Sequence, residues 1–230
     1  MLGPIYDGDY AWSVDGSVQE QYRLGDLLAN SITHGVGAVF AIAGAAYLIA
    51  VSTRGNAWHV VSCSIYAGAL VLVYVCSTLY HSLVRTRAQH VFQVLDHSAI
   101  YVLIAGTYTP FTLVSLHGRL GWALFGVVWG LAILGVVFKS VATGRFEIAS
   151  ALIYLFMGWF IVIAARPLIH AISWHGVMWI AAGGLAYTAG IAFFAFDRLR
   201  YFHALWHVFV LAGSVAHYFA VLFYVVPARA

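Results

Sequence analysis

The chain has 230 residues, 63% of them hydrophobic and only 8% charged. Soluble domains run at roughly 45–50% apolar and about 25% charged, so eight acids and eleven Lys/Arg cannot clothe a water-facing surface of this size. Disorder, a collagen-like fibre and a disulfide-rich secreted scaffold are excluded. So is nucleic-acid binding, because the net charge is only +3 and the basic residues are scattered singly and in pairs.

In chain order, residues 1–29 form an acidic tail with Asp7, Asp9, Asp15, Glu20 and Asp26 against a lone Arg23. That is the reverse of a signal peptide's basic start, so the first apolar run is expected to remain as an uncleaved membrane anchor. Windows of about 20 apolar residues place spans near 30–52, 57–83, 92–115, 120–138, 146–165, 172–195 and 201–226. The runs are too long and too uniformly apolar for the alternating ~10-residue strands of a barrel. The expected fold is an all-α, multi-pass membrane protein with a seven-helix bundle over 30–226 and no soluble domain. Counting basic residues in the loops gives seven on the side of the tail (Arg23, Arg85, Arg87, Lys139, Arg145, Arg198, Arg200) and four on the other (Arg54, Arg119, Arg166, Arg229). The excess marks the cytoplasmic side, with the N-terminus inside and the C-terminus outside.

Within the second span, Cys63 and Cys76 are separated by about 20 Å of helix at ~1.5 Å per residue, beyond the roughly 7 Å that a disulfide allows. They are expected to be free core thiols. Pro110, in Gly106-Thr107-Tyr108-Thr109-Pro110, is expected to kink the third span, with its two threonines available to freed carbonyls. Trp58, Trp122, Trp174 and Trp179 fall near span ends as an interfacial belt, while Trp159 and Trp206 are placed to shape a cavity. Gly35, Gly37, Gly183 and Gly184 allow close helix contact.

Ionisable groups inside spans are costly, which makes each a functional candidate. His203 and His207 are four residues apart at the start of the last span, on one helix face. Ser77 and His81 repeat that spacing at the end of the second span, Asn30 and His34 at the start of the first, and Asp96 sits just inside the third. In the seven-span topology all these positions fall in the cytoplasmic leaflet at one depth. Three neutral imidazoles can hold Zn²⁺ and leave a fourth position for water, which assigns His81, His203 and His207 as ligands and Asp96 as a neighbouring base. A lone histidine in a span is more often a hydrogen-bonding residue of the bundle, and that reading is kept for His217, about 20 Å beyond His203 along the helix. His59 and His175 fall near outer span ends and His90, His117 and His170 in loops, all interfacial. His97 points about 100° around the helix from Asp96.

Asn30-Ser31-Ile32-Thr33-His34, Ser77-x3-His81 followed by Leu95-Asp96, and His203-x3-His207 together resemble the hemolysin III proteins of bacteria, a branch of the progestin and adipoQ receptor family that includes the adiponectin receptors. Leu95-Asp96-His97-Ser98-Ala99-Ile100-Tyr101 through Pro110 also looks like that branch, and the resemblance runs from about Asp26 to the last span. It implies a seven-helix bundle with a cytoplasmic N-terminus and zinc near the cytoplasmic face, on His81, His203 and His207. It also implies Asp96 beside the site's water and Ser77 next to it. The family's first motif usually begins with Glu, where this chain has Leu27, with Asp26 adjacent but rotated around the helix.

Two functions follow as expectations. One is a zinc-dependent hydrolase of a lipid amide or ester, ceramidase-like, in which Asp96 moves the proton and Ser77 steadies a developing oxyanion. The other is a membrane-lysing, pore-forming or receptor-like protein with structural zinc. The implied partner is a membrane lipid, and the expected location is a cell membrane, the inner one in a bacterium.

Overall fold

A computed structural model describes residues 17–84 and 86–227, with side chains from Leu24 onward. Residues 1–16, most of the expected acidic tail, lie outside the described residues, as do Arg85 and Arg229. Among the described residues the chain is entirely helical: α1 (Ser17–Ser52), α2 (Ala57–Ser82), α3 (Gln89–Pro110) running into a π-helical turn (Phe111–Leu116), α4 (Gly118–Ala142), α5 (Glu147–Trp159) with a 3₁₀ turn (Phe160–Ala164), α6 (Ala165–Ala195) and α7 (Phe202–Tyr224). Helices are the natural outcome of this composition, because in hydrocarbon every backbone N–H and C=O must be satisfied within its own segment.

Six of these helical stretches are long and apolar enough to cross a membrane: Leu24–Ser52, Ala57–Ser82, Gln89–Leu116, Gly118–Ala142, Glu147–Ala195 and Phe202–Tyr224. The outer faces are apolar, with Val39, Phe40, Leu134 and Ile163 all exposed, as lipid demands and water would not allow. The expected break between the fifth and sixth spans, at Arg166, is helical instead. The backbone departs from the helix at Ser173, with φ 63° and ψ 168°, a region that side chains other than glycine's rarely adopt. His90 and His170, expected in loops, belong to α3 and α6. Cys63 and Cys76 are free and buried.

The helices close a ring: α1 packs on α2 and α7, α2 on α3, α3 on α4 and α5, and α6 on α5 and α7. A Cβ built on Gly106 would lie 2.6 Å from the Ala69 Cβ, so glycine is what lets α3 lie this close to α2. Asp26 Oδ1 accepts the Tyr201 backbone N–H at 2.9 Å, tying α1 to the left-handed residue that starts α7. Tyr74 donates to Ser214 Oγ at 2.7 Å, and the Tyr187 hydroxyl lies 3.0 Å from the same oxygen. These contacts join α2, α6 and α7 in the interior.

Pro110 has no N–H, so the Gly106 carbonyl loses its helical donor. Thr107 and Thr109 do not serve that carbonyl; they donate to Leu103 O and Ala105 O at 2.7 and 2.8 Å. The chain instead widens into the π-helical turn that follows Pro110. Between them, Tyr108 repairs a different defect. Its hydroxyl donates to Met157 O at 2.7 Å and accepts the Ile161 N–H at 2.7 Å, where α5 tightens into 3₁₀ winding. Tyr108→Phe takes the acceptor from the buried Ile161 N–H, while Met157 O keeps the Phe160 N–H, at about 1–3 kcal/mol for an unmade bond. Its thermal unfolding midpoint should therefore fall by about 5 °C in detergent, while Tyr47→Phe on the exposed face of α1 should stay within a degree or two.

Candidate metal centre

His203 and His207 stand one turn apart on α7, and His81, next to the last residue of α2, meets them. The ring centroids are 5.1 Å apart for His81–His203, 5.1 Å for His81–His207 and 4.7 Å for His203–His207. One nitrogen from each ring lies within 4.8 Å of the other two. Tetrahedral bonds of about 2.0–2.1 Å put three imidazole nitrogens about 3.3 Å apart, which small side-chain rotations reach from here. The three residues can hold a metal ion.

Hydrogen bonding decides which nitrogens are free to do so. Thr33 donates its hydroxyl proton to Ala29 O at 2.7 Å. Its oxygen, 3.2 Å from His207 Nδ1, therefore accepts from that nitrogen, and the His207 lone pair resides on Nε2. His81 Nε2 is buried with no hydrogen-bond partner. Leaving such an atom unmet costs about 1–3 kcal/mol, a cost that a bound cation removes. Asp197 Oδ2 is 3.9 Å from His203 Nδ1, too long for a hydrogen bond but close enough to favour a proton on that side of the ring.

Around the trio stand the other candidates. His34 stacks on His207 with centroids 3.5 Å apart and planes 17° apart, and Tyr74 meets its ring edge-on at 5.1 Å. Both His34 nitrogens are buried without partners, as are Asn30 Oδ1, one turn earlier, and Ser77 Oγ. Asp96 is buried. His34, Ser77, Asp96, His203 and His207 all line one cavity of about 110 Å³. The cavity continues between α3, α5, α6 and α7 past Ile104, Trp159 and Trp206 to His217, so its far reach is mainly apolar. His217 Nδ1 donates to Gly213 O at 2.8 Å and stays out of the metal trio. A Cβ on Gly183 would come within 2.2 Å of that ring nitrogen, so a glycine is required opposite it. His59 instead caps α2: its Nδ1 accepts the Asn56 N–H at 3.1 Å.

Sequence reasoning passed over Thr33, Asp197 and the use of Asp26. Thr33 was within view, between Asn30 and His34 in the first motif. Asp197 and the Tyr201 contact of Asp26 depend on a turn between helices, which no periodicity reveals.

Comparison with known proteins gives the family. Residues 26–218 match the family described as "Haemolysin-III related". The chain is 47% identical to Hemolysin-3 of Bacillus cereus over 201 residues, covering 87% of this chain and 92% of the relative. It is 43% identical to the Hemolysin-3 homolog of Bacillus subtilis (strain 168) over 206 residues, 89% and 97% of the two chains. A rice protein, Heptahelical transmembrane protein ADIPOR2 of Oryza sativa subsp. japonica, is 29% identical over 159 residues, 59% of this chain and 68% of that one.

Elemental analysis of the purified protein should find about one divalent ion per chain, lost in His203→Ala and His207→Ala. Thr33→Val should keep the site but weaken the ion's hold about 10–100-fold in chelator competition, because the His207 tautomer is no longer fixed.

Proposed function

The chain belongs to the haemolysin-III-related family and is an integral multi-pass membrane protein; on that premise we propose that it is a zinc-dependent hydrolase of a lipid amide or ester. The single observation that carries this reading is the meeting of three imidazoles with a buried aspartate at the polar end of an otherwise apolar cavity.

We propose seven crossings, with the N-terminus cytoplasmic and the C-terminus outside. The stretch Glu147–Ala195 has 49 residues, about 74 Å of straight helix against a hydrocarbon core of about 30 Å. It departs from helical geometry at Ser173. The site gives a second support. His81 at the end of α2 meets His203 and His207 at the start of α7, so an even number of crossings separates them. With α3 and α4 contributing one each, Glu147–Ala195 supplies two. The excess of basic residues in the loops on that side supports a cytoplasmic position for that end of the bundle.

His81, His203 and His207 are the proposed ligands. Zinc held there would supply a water of pKa near about 7 and a Lewis acid for a carbonyl. Asp96 takes the proton from the attacking water and delivers it to the departing amine or alcohol as the C–N or C–O bond breaks. The Ser77 hydroxyl, buried beside Asp96, donates to the oxygen on which charge develops. The apolar reach beyond Ile104 receives the acyl chain, keeping it out of water throughout.

Purified protein given panels of lipid amides and esters should show turnover that chelation abolishes. Asp96→Asn should cut kcat by about 10²–10⁴-fold while keeping its metal, and His81→Ala should lose both. No metal-dependent turnover on any lipid overturns the hydrolase reading. The names of the Bacillus relatives favour a second reading, membrane lysis. It predicts liposome leakage that survives in His207→Ala, whereas a hydrolase acting on bilayer lipid predicts that any leakage disappears with the metal.

A further inference from the structure

Beyond Asp96, the same cavity wall carries a second set of buried polar groups that metal chemistry leaves unused. Lys139, in the last turn of α4, has a side chain with 0% exposure, and its Nζ donates to Glu147 Oε2 at 2.9 Å. Thr143 closes the turn by donating its hydroxyl to Lys139 O. This pairing pins the start of α5 to the end of α4 and engages only one of the two carboxylate oxygens. The other, Glu147 Oε1, is buried and without a partner. So is Nδ1 of His97, the residue after Asp96. Tyr154 donates to His97 O at 3.0 Å, which joins α3 to α5 at this level. Asp96, His97, Glu147 and Tyr154 all line the cavity.

Two unmet polar atoms in one cavity wall call for a ligand that answers both, and their chemistry selects it. A carboxylate oxygen only accepts, so Glu147 needs a donor. An ammonium is the wrong donor. Lys139 already balances the Glu147 charge, and a cation would shed its hydration, several kcal/mol, for a pair of zero net charge. An alcohol has the complement of each atom: its O–H can donate to Glu147 Oε1 and its lone pair can accept from a His97 Nδ1–H. We propose that Glu147 and His97 form a subsite that reads a free hydroxyl on the headgroup of the lipid in the cavity, with Lys139 as the residue that positions Glu147. The inference rests on the lipid-binding half of the proposed function and not on its metal chemistry. His97 and Asp96 are consecutive on α3, so a lipid whose hydroxyl lies here presents its neighbouring acyl linkage to Asp96 and the histidine trio.

The test compares binding of a diacylglycerol with that of the same lipid capped as its methyl ether, by displacement of a fluorescent lipid from the full chain in nanodiscs. Each measurement is made before and after chelation, with hydrolysis followed in parallel. The free hydroxyl should bind about tenfold more tightly, equivalent to about 1.4 kcal/mol. His97→Phe should bring the ratio to within about twofold. So should the double variant Lys139→Leu/Glu147→Leu, which removes the ion pair whole and leaves no buried charge behind. Equal binding of the two lipids to the natural chain means that water alone serves these atoms and overturns the proposal, as does a tenfold preference that survives in both variants. A preference that persists after chelation while no lipid is hydrolysed sinks the hydrolase reading and keeps the subsite. Turnover with no hydroxyl preference does the reverse.

Discussion

In a bundle surrounded by hydrocarbon, a polar atom that finds no partner inside the protein finds none at all. This constraint orders the molecule. Along most of its interior it is met locally: threonines donate to carbonyls one turn back, Tyr108 mends a 3₁₀ break, and Tyr74, Tyr187 and Ser214 satisfy one another between three helices. The Tyr66 hydroxyl, buried within α2 without a partner, is an exception, and at one end the rule is suspended more widely. His34, His81, Ser77, His97 and Glu147 each keep a buried atom without a partner, and all stand within or beside one cavity. Unmet groups gathered so densely describe a place that something else completes. Three of the imidazoles around it stand close enough together to hold a cation.

The rest of the fold holds that end in register. Two of the three histidines are on α7, so its angle and height decide the geometry of the trio. Asp26 of α1 fixes the backbone where α7 begins, and Thr33 of α1 sets the His207 tautomer. Tyr74 steadies α7 from α2 through Ser214 and also meets the edge of His34. The absence of a carboxylate at Leu27 fits this division of labour, since the carboxylate beside it, Asp26, is engaged in holding α7 rather than facing the cavity.

How much of this was legible in the sequence depended on the range of the forces involved. Long apolar runs are a property of single segments, so some helices came out nearly at their observed bounds, as in 57–83 against Ala57–Ser82, whereas α1 begins at Ser17 inside the stretch expected as a tail. The i,i+4 pairs His203/His207 and Ser77/His81 are equally local, and an estimate of their depth was enough to bring α2 and α7 together. Three features were hidden. The break at Ser173 rests on an unusual backbone state that neither glycine nor proline announces, and Arg166 was a false sign of a loop. At Pro110 the sequence signalled a defect but not its cure, because π-helical winding is set by how the next helix packs. The Lys139–Glu147 pair was invisible because Lys139 read as a loop-flanking charge, and only the folded chain brings the carboxylate that follows the turn to its fully buried ammonium.

The central claim is that one cation is gripped by His81, His203 and His207. X-ray absorption at the metal edge of the purified, unsupplemented protein tests it most directly, since it sees only the ion and its immediate neighbours. The account predicts one ordered ion with three imidazole nitrogens and an oxygen at about 2.0–2.1 Å. A shell containing sulfur, a shell of oxygen alone, or an ion with fewer than two imidazoles would contradict it.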